Sequence, residues 1–487
     1  MKLKIFITCA VFAVTSVSCK KWIDVKPSDR LSEDMLFATR DGYLKALNGV
    51  YVELTNNSIY GQNMSATVLD VLAQYYYMVS STHPYYNYTM FTYTADNTKL
   101  SFDNMWKKSY ELIANCNVLI EKCGEQNALL PAPYFGIVKG EALALRALLH
   151  FDMLRLFGPI WSEEKKSLPA IPYKTTSVTE VTPLLSSAQV MEQVLADLTA
   201  ARDLLREADP VLTEGVRNAA NPAGTNELFF RQYRLNYYAV RALMARAYSW
   251  MKEKNAAFQE AKAILEEVQS PSKPVFPYVT NAAATSADKP DRMFSTEVMF
   301  ALYNSNRINI YNNVFSAAIQ PGARLSFNAG NADMARVNEM YNDENDYRRR
   351  IWENVTLDNA TLLTNQKYKD FVDAPGRYMI PLIRLSELLL IAAECSGTLE
   401  EGTAYLNALR SARNCVSVSP AGEPDLKAAI TAEFRREMIG EGQMFFYYKR
   451  NAIQTIPNNA ALTGTKTMVL ENYVVPLPDS EISQRGK

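Results

Sequence analysis

The sequence predicts a mostly α-helical protein in which stacked helix pairs carry one irregular, loop-rich region. Three observations predict it. Residues 140–159 (GEALALRALLHFDMLRLFGP) space Ala142, Leu145, Leu149, Met153, Leu154 and Phe157 three and four apart. That is the stripe of an amphipathic helix wide enough to sit in a core. Residues 237–268 and 386–413 each read as two helices with small residues, such as Ala245 and Ala393, where the helices would cross. The stretch from Pro271 to about Pro381 differs: Gly, Pro, Asn and Ser are frequent, and short apolar runs such as residues 298–303 read as strands.

In chain order, Asp41 can cap a helix over about 42–54, with Leu44, Leu47 and Tyr51 on one face. Asp103 can cap the next, which runs through Trp106, Tyr110, Ile113 and Leu119. The 140–159 helix follows Pro131 and Pro133, and Gly158-Pro159 stops it. Arg146 and Asp152 interrupt its apolar face, so each is expected to bond backbone or an opposite charge. A loop rich in Ser, Thr and Pro covers about 162–183, and helices resume at 187–206, 227–252 and 255–269. The two helix pairs resemble tetratricopeptide units, through Tyr248, Phe258 and Ala261 in the first and Leu390, Ala404 and Leu409 in the second. Their periods are irregular, so degenerate repeats are expected rather than a solenoid array. This places a helical scaffold at about 41–270 and 381–450 and a loop-rich region at about 271–380, within one domain over 41–487.

Composition excludes several classes. The chain has 487 residues, 48% hydrophobic and 21% charged, enough for a large core. Lys2 and Lys4, an apolar run over 5–17 and Ser16-Val17-Ser18-Cys19 read as a secretory signal, residues 1–18. It is too short to span a bilayer. Removing it leaves 49 basic against 52 acidic residues, a net of −3, and no basic patch of the kind that binds nucleic acid. A cysteine just after the cleavage point resembles a loose bacterial lipobox, so Cys19 is expected to carry a lipid anchor, followed by a tether over 19–40. Cys116 and Cys123 lie seven apart on one helix, about 10 Å by helical rise, too far to bridge. With Cys395 and Cys415 they are expected to be buried free thiols.

Four ordered motifs carry a family resemblance. Residues 140–159 are similar to G-E-A-x-x-x-R-A…F-D-x-x-R-x-F-G-x-P. Residues 378–394, YMIPLIRLSELLLIAAE, match a P-x-x-R-x-x-E-x-x-L-x-x-A-E helix through Pro381, Arg384, Glu387, Leu390, Ala393 and Glu394. Arg384 and Glu387, three apart, can pair on such a helix. Residues 435–450 resemble R-R-x-E-x-x-G-E-G-x-R-W-x-D-L-x-R, with Met444, Phe445 and Tyr447 in place of the usual Arg, Trp and Asp. Residues 473–482, YVVPLPDSEI, resemble a terminal I-P-x-x-E-I, followed here by SQRGK. Together they resemble the SusD/RagB family of Bacteroidetes surface lipoproteins. The resemblance implies a SusD-like helical fold, a binding protein rather than an enzyme, no cofactor, and an outer-membrane, cell-surface location. It also implies a SusC-like TonB-dependent transporter as partner.

The residues themselves offer little catalytic machinery. His83 and His150 are the only histidines, and His150 reads as a satisfied core residue. That excludes a zinc site built on several histidines, and no paired C-x₂-C spacing exists. No G-x-S-x-G elbow or phosphate-binding glycine loop is present. Residues 342–346 (NDEND) lack the glycine and distal glutamate of a calcium loop and read as a solvated acidic loop.

Aromatic residues are more informative. Between Tyr75 and Tyr93 stand Tyr75, Tyr76, Tyr77, Tyr85, Tyr86, Tyr88, Phe91 and Tyr93; a second group joins Tyr303, Arg307 and Tyr311. Tyrosine combines an apolar ring with a polar tip, suited to half-wet surfaces. Flat sugar C–H faces stack on such rings, and Asn87 and Arg307 can bond hydroxyls. The candidate ligand residues are therefore Tyr75, Tyr76, Tyr86, Asn87, Tyr88, Tyr303, Arg307 and Tyr311, sharing one concave surface. The alternative is that residues 86–93 merely build a hairpin packed on helices. The expected function is capture of a nutrient oligosaccharide. A peptide- or glycoprotein-binding RagB-like lipoprotein, a lipid-anchored glycosidase with paired carboxylates and a structural assembly subunit stand as alternatives.

Overall fold

The computed structural model describes residues 33–270 and 274–486. The signal segment and Cys19 lie outside these residues. Glu33–Leu36 forms one helical turn, and the Phe37 ring packs edge-on against Tyr43 at 4.8 Å. Residues 33–40 are thus part of the folded body, not of the expected tether.

The scaffold is a run of helices in which each packs on the next. They are α1 (Arg40–Glu53), α2 (Asp96–Cys123), α3 (Tyr134–Phe157), α4 (Ser187–Ala208), α5 (Tyr237–Trp250) and α6 (Lys254–Val268). After the loop-rich region come α7 (Leu385–Cys395), α8 (Leu399–Ala412) and α9 (Glu423–Glu437), with α7 packed on α6, so the two halves of the scaffold close on each other. This is the helix-pair stack the sequence predicts. Ala245 and Ala393 are both buried in it. Where α3 meets α4 the approach is close: a Cβ on Gly136 would stand 2.6 Å from the Ala208 Cβ.

Helix ends show the local rules at work. Thr39, not Asp41, caps α1 by accepting from the Gly42 N–H. Ser186 and Gln189 form a capping box on α4. Asp103 caps nothing: α2 begins seven residues earlier, and Asp103 pairs with Lys107 at 2.5 Å inside it. The helix expected from 227 starts only at Tyr237, because Asn236 takes the cap position and accepts from the Ala239 N–H. Before it, Phe230 has a left-handed backbone (φ 53°) and Arg231–Tyr233 is one 3₁₀ turn.

Helix α3 is the centre. It is buried all round from Gly140 to Phe157, so it is a core helix rather than a two-faced one. Its charges find partners as expected: Arg146 makes two bonds to Asp197 at 2.6 and 2.7 Å, and Arg155 bonds Asp152, which also accepts from Tyr60. His150 is satisfied on both nitrogens, facing the Arg146 carbonyl and accepting from the Lys174 N–H. All four described cysteines are free and buried.

The loop-rich region holds two small antiparallel sheets. Strand β1 (Val298–Tyr303) pairs with β4 (Met379–Arg384), and β2 (Trp352–Leu357) pairs with β3 (Ala360–Asn365) in a hairpin. Residues 379–384 are therefore strand, where the motif reading expected helix. Arg384 keeps extended backbone just before α7 and cannot pair with Glu387. Instead Arg384 bonds Glu437 and Glu441, while Glu387 takes Arg246 from α5 at 2.6 and 2.7 Å. Arg348, Arg384 and Arg413 all converge on Glu437 in a fully buried ionic centre that joins the loop-rich region to α8 and α9. The unusual Tyr447 stacks on Phe434 at 4.4 Å, which fills the place a charged Asp would occupy. Among the described residues no helix is long and apolar enough to cross a membrane.

Candidate functional site

Where β1 ends, the chain leaves the core and Tyr303 emerges, 54% exposed. The β1–β4 register sets Tyr303 opposite Met379, which puts Tyr378 beside it. The Tyr303 and Tyr378 rings lie 5.3 Å apart, and on the other side Tyr233 meets Tyr303 edge-on at 5.6 Å. None of the three hydroxyls bonds another described residue. Burial and the neighbouring Tyr303 push the Tyr233 hydroxyl up to about 12, so it stays a protonated donor at any physiological pH.

Tyr233 and Tyr303 form part of a cleft of about 840 Å³. Its second wall is α1: Leu44, Asn48 and Val52, four residues apart, present one stripe of that helix. The third wall is the 218–234 segment with Phe229 and Arg234, and the fourth is Pro375–Gly376 with Met379. Gly376 has φ 66°, and a Cβ there would crowd Met293 and Ser295 at 3.1 Å, so the turn needs glycine. The floor is a polar network. Tyr51 donates to Glu141 at 2.7 Å and accepts from the Leu235 N–H; Glu141 pairs with Arg231, which also holds Asp209. Burial opposes the Arg231 charge, but Asp209 and Glu141 overcome it and raise its pKa. The arrangement offers stacking rings, amides at Asn48, Asn218 and Asn226, and, besides the carboxylate-paired Arg231, the cation of Arg234. Clefts that combine aromatic walls with few fixed polar groups suit non-covalent capture of a ligand.

The sequence-predicted residues separate. Only Tyr303 lines this cleft; Arg307 stands behind its wall, 4% exposed, donating to the Gly376 and Met379 carbonyls. Tyr311 is buried in a π-turn. Tyr75 and Tyr76 are fully buried: Tyr75 donates to the Arg435 carbonyl at 2.7 Å, and the Tyr76 ring packs against Phe315 and Phe327. Tyr88 is buried and donates to the Asn97 carbonyl, and Asn87 donates to the Asn97 side chain. Tyr86 is half-buried at the start of a helical turn, Tyr86–Thr89, where a hairpin was the alternative. No residue of 75–93 lines the cleft, so one platform shared by both groups is not what the structure builds. Sequence reasoning missed Tyr233 and Tyr378. Tyr233 sat inside an expected helix and Tyr378 inside a motif; the pairing of the apolar runs 298–303 and 379–384 was the signal for the second.

Stacked helix pairs with an open cleft walled by Tyr233 and Tyr303 define a helical-repeat scaffold that carries a loop-rich side. Residues 364–486 match the family described as "SusD family" (SusD_RagB), and residues 21–223 match "Starch-binding associating with outer membrane" (SusD-like_3). The chain belongs to the SusD/RagB family. It is similar to a SusD superfamily protein from Bacteroides thetaiotaomicron, with 22% identity, TM-score 0.68, and 91% of this chain and 98% of that one covered. A SusD-like carbohydrate binding protein from Bacteroides vulgatus gives 19% identity and TM-score 0.67 over 91% and 96%. At such identities these structures show the shared fold. SusD-like protein P25 from Formosa agariphila is 26% identical over 170 residues, 34% of this chain and 32% of that protein. The match thus spans about a third of the length of this curated relative.

Proposed function

We propose that this protein captures an oligosaccharide in the cleft lined by Tyr233 and Tyr303, at the outer membrane, and delivers it to a SusC-like TonB-dependent transporter. The observation that carries the reading is the pair of tyrosine rings with free hydroxyls, Tyr233 and Tyr303, along a cleft walled by α1, with Tyr378 packed against Tyr303. Sugar rings place C–H faces against such rings and hydroxyls against Asn48, Asn218 and Asn226. The family's description as starch-binding and outer-membrane-associating supports it, as does the carbohydrate-binding neighbour. Capture needs no covalent step and no cofactor. Lipid attachment at Cys19 would hold the protein at the membrane.

The test is titration calorimetry of the mature protein against oligosaccharides, with Tyr303→Ala beside the wild type. Binding that Tyr303→Ala weakens at least about fivefold, with unfolding unchanged, supports the reading; unaltered binding overturns the cleft assignment. For location, Cys19→Ala should release the protein from the outer-membrane fraction or stop its maturation. Full partition with the membrane would end the anchor proposal.

A further inference from the structure

The charges around the cleft do not cancel. Its two carboxylates each have a cation: Glu141 pairs with Arg231 at 2.8 Å, and Glu227 accepts from Tyr134 at 2.7 Å with Arg40 at 3.6 Å. Arg231 faces both Glu141 and Asp209, which leaves one negative charge on that floor. Arg234 offsets it from the wall. Its guanidinium lies over the Tyr51 ring at 4.4 Å and donates to Asn48, while Nη1 is buried without a partner and no carboxylate stands within 4 Å among the described residues. Arg307 then remains. Its Nη1 donates only to carbonyls, those of Gly376 and Met379, and its Nε has no partner. The nearest acidic group that influences it, Asp370, is held by Arg377 through two 2.6 Å bonds.

A buried guanidinium without a carboxylate is costly, and proteins normally pair it. The same fold does so elsewhere: Arg348, Arg384 and Arg413 meet carboxylates directly. Arg307 sits behind the two residues, Gly376 and Met379, that form one wall of the cleft, beside the tyrosine row. In a low-dielectric wall its field reaches the cleft poorly screened.

From this we infer that the cleft selects oligosaccharides carrying an anionic substituent, a uronate carboxylate or a sulfate ester, with Arg234 as the contacting cation and Arg307 as the fixed charge behind the wall. The inference rests on the oligosaccharide reading above and narrows its substrate class. Arg234 lines the cleft with no carboxylate beside it, and its planar guanidinium suits carboxylate or sulfate oxygens, while Tyr233 and Tyr303 stack the sugar ring that bears them.

The test uses matched pairs that differ only in charge: oligogalacturonate against its methyl ester, and sulfated against desulfated galactan oligosaccharides, titrated into the mature protein at about 50 and 300 mM salt. The acidic member of at least one pair should bind at least tenfold tighter, the preference should shrink at high salt, and Arg234→Gln should remove most of it. Arg307→Lys keeps the charge and should retain the preference, whereas Arg307→Met should reduce it with the fold checked by circular dichroism. The pair that responds tells carboxylate from sulfate. Equal binding of both members, still dependent on Tyr303, overturns this inference and leaves the oligosaccharide reading intact. A preference untouched by Arg234→Gln and Arg307→Met overturns it as well. No binding by any member counts against both.

Discussion

Two groups of tyrosines occupy opposite roles. Tyr75, Tyr88 and Tyr93 turn their hydroxyls onto main-chain carbonyls, those of Arg435, Asn97 and Asn472, and Tyr76 reaches the Asp70 carboxylate. Two of these are long-range ties: Tyr75 and Tyr93 fasten an early segment to the C-terminal part of the chain. Tyr233, Tyr303 and Tyr378 make ring contacts with each other and leave their hydroxyls unbonded. The first group is dense in sequence and structural in space. The second is scattered in sequence and converges in space. Local aromatic density here marks a segment that needs packing, whereas the proposed recognition surface is marked by rings whose polar tips find no internal partner.

The largest expected effect tests the inward group. Tyr76→Ala removes a fully buried ring set against Phe315 and Phe327. It should destabilise by about 3–5 kcal/mol, the range for large aromatic truncations, measured by urea unfolding. An unfolding midpoint like wild type would show that the segment is not part of the core. Ala245→Leu is the scaffold control. Ala245 is fully buried between packed helices, and overpacking should cost about 1–3 kcal/mol without altering either tyrosine group.

The outward group predicts the reverse pattern. Tyr303→Ala should weaken oligosaccharide binding by about 1–3 kcal/mol, by analogy with stacked bases, while stability stays within about 0.5 kcal/mol as for exposed sites. A loss of stability as large as that of Tyr76→Ala would erase the distinction between the groups.

Asp70, beneath the inward group, adds a pH test. Burial pushes its carboxyl up to about 7, against the Gly440 and Gly442 N–H groups that lower it. Its folded pKa then exceeds the ordinary 3.8, so the folded protein holds a proton that the unfolded chain has released. Its contribution falls as pH rises from about 4 to 7, by at most about 1.4 kcal/mol per unit. His150 runs the other way: burial pushes it down to about 3 from 6.5, so its contribution is full above 6.5 and is lost as pH falls. The two offset each other in the wild type. Asp70→Asn should leave the His150 slope exposed, and the variant should lose stability from pH 6.5 to 4.5 more steeply than wild type in urea titrations. Parallel pH profiles would remove Asp70 from this account.

The helices were legible because their periodicity is local, and the partner of Arg146 was expected because a charge on a buried stripe must be paired. Helix starts were less legible. Asn236 outcompetes an apolar pattern that begins at residue 227, and Arg384 stays extended because residues 379–384 complete a sheet with β1. The cleft was legible only at Tyr303. Tyr233 reaches it through a 3₁₀ turn, and Tyr378 reaches the Tyr303 ring through a strand register; neither leaves a repeat in the sequence. Arg307 was noted as a hydrogen-bonding companion; that it lacks a carboxylate is a fact of three dimensions.

Tyr86 gives the finest test of the comparison. It belongs to the dense group by sequence, yet it is half-buried and, unlike Tyr75, Tyr88 and Tyr93, its hydroxyl bonds no carbonyl. It also lines no wall of the cleft. By the rule that structural tyrosines lock their hydroxyls and ligand tyrosines share a concavity, Tyr86 is neither. Tyr86→Ala should then change both unfolding and oligosaccharide affinity by less than about 0.5 kcal/mol. A stability loss would place it with Tyr76 despite its exposure. A loss of affinity alone would mean that the ligand reaches beyond the Tyr303 cleft to the 85–93 surface, and the recognition surface would then extend over both tyrosine groups after all.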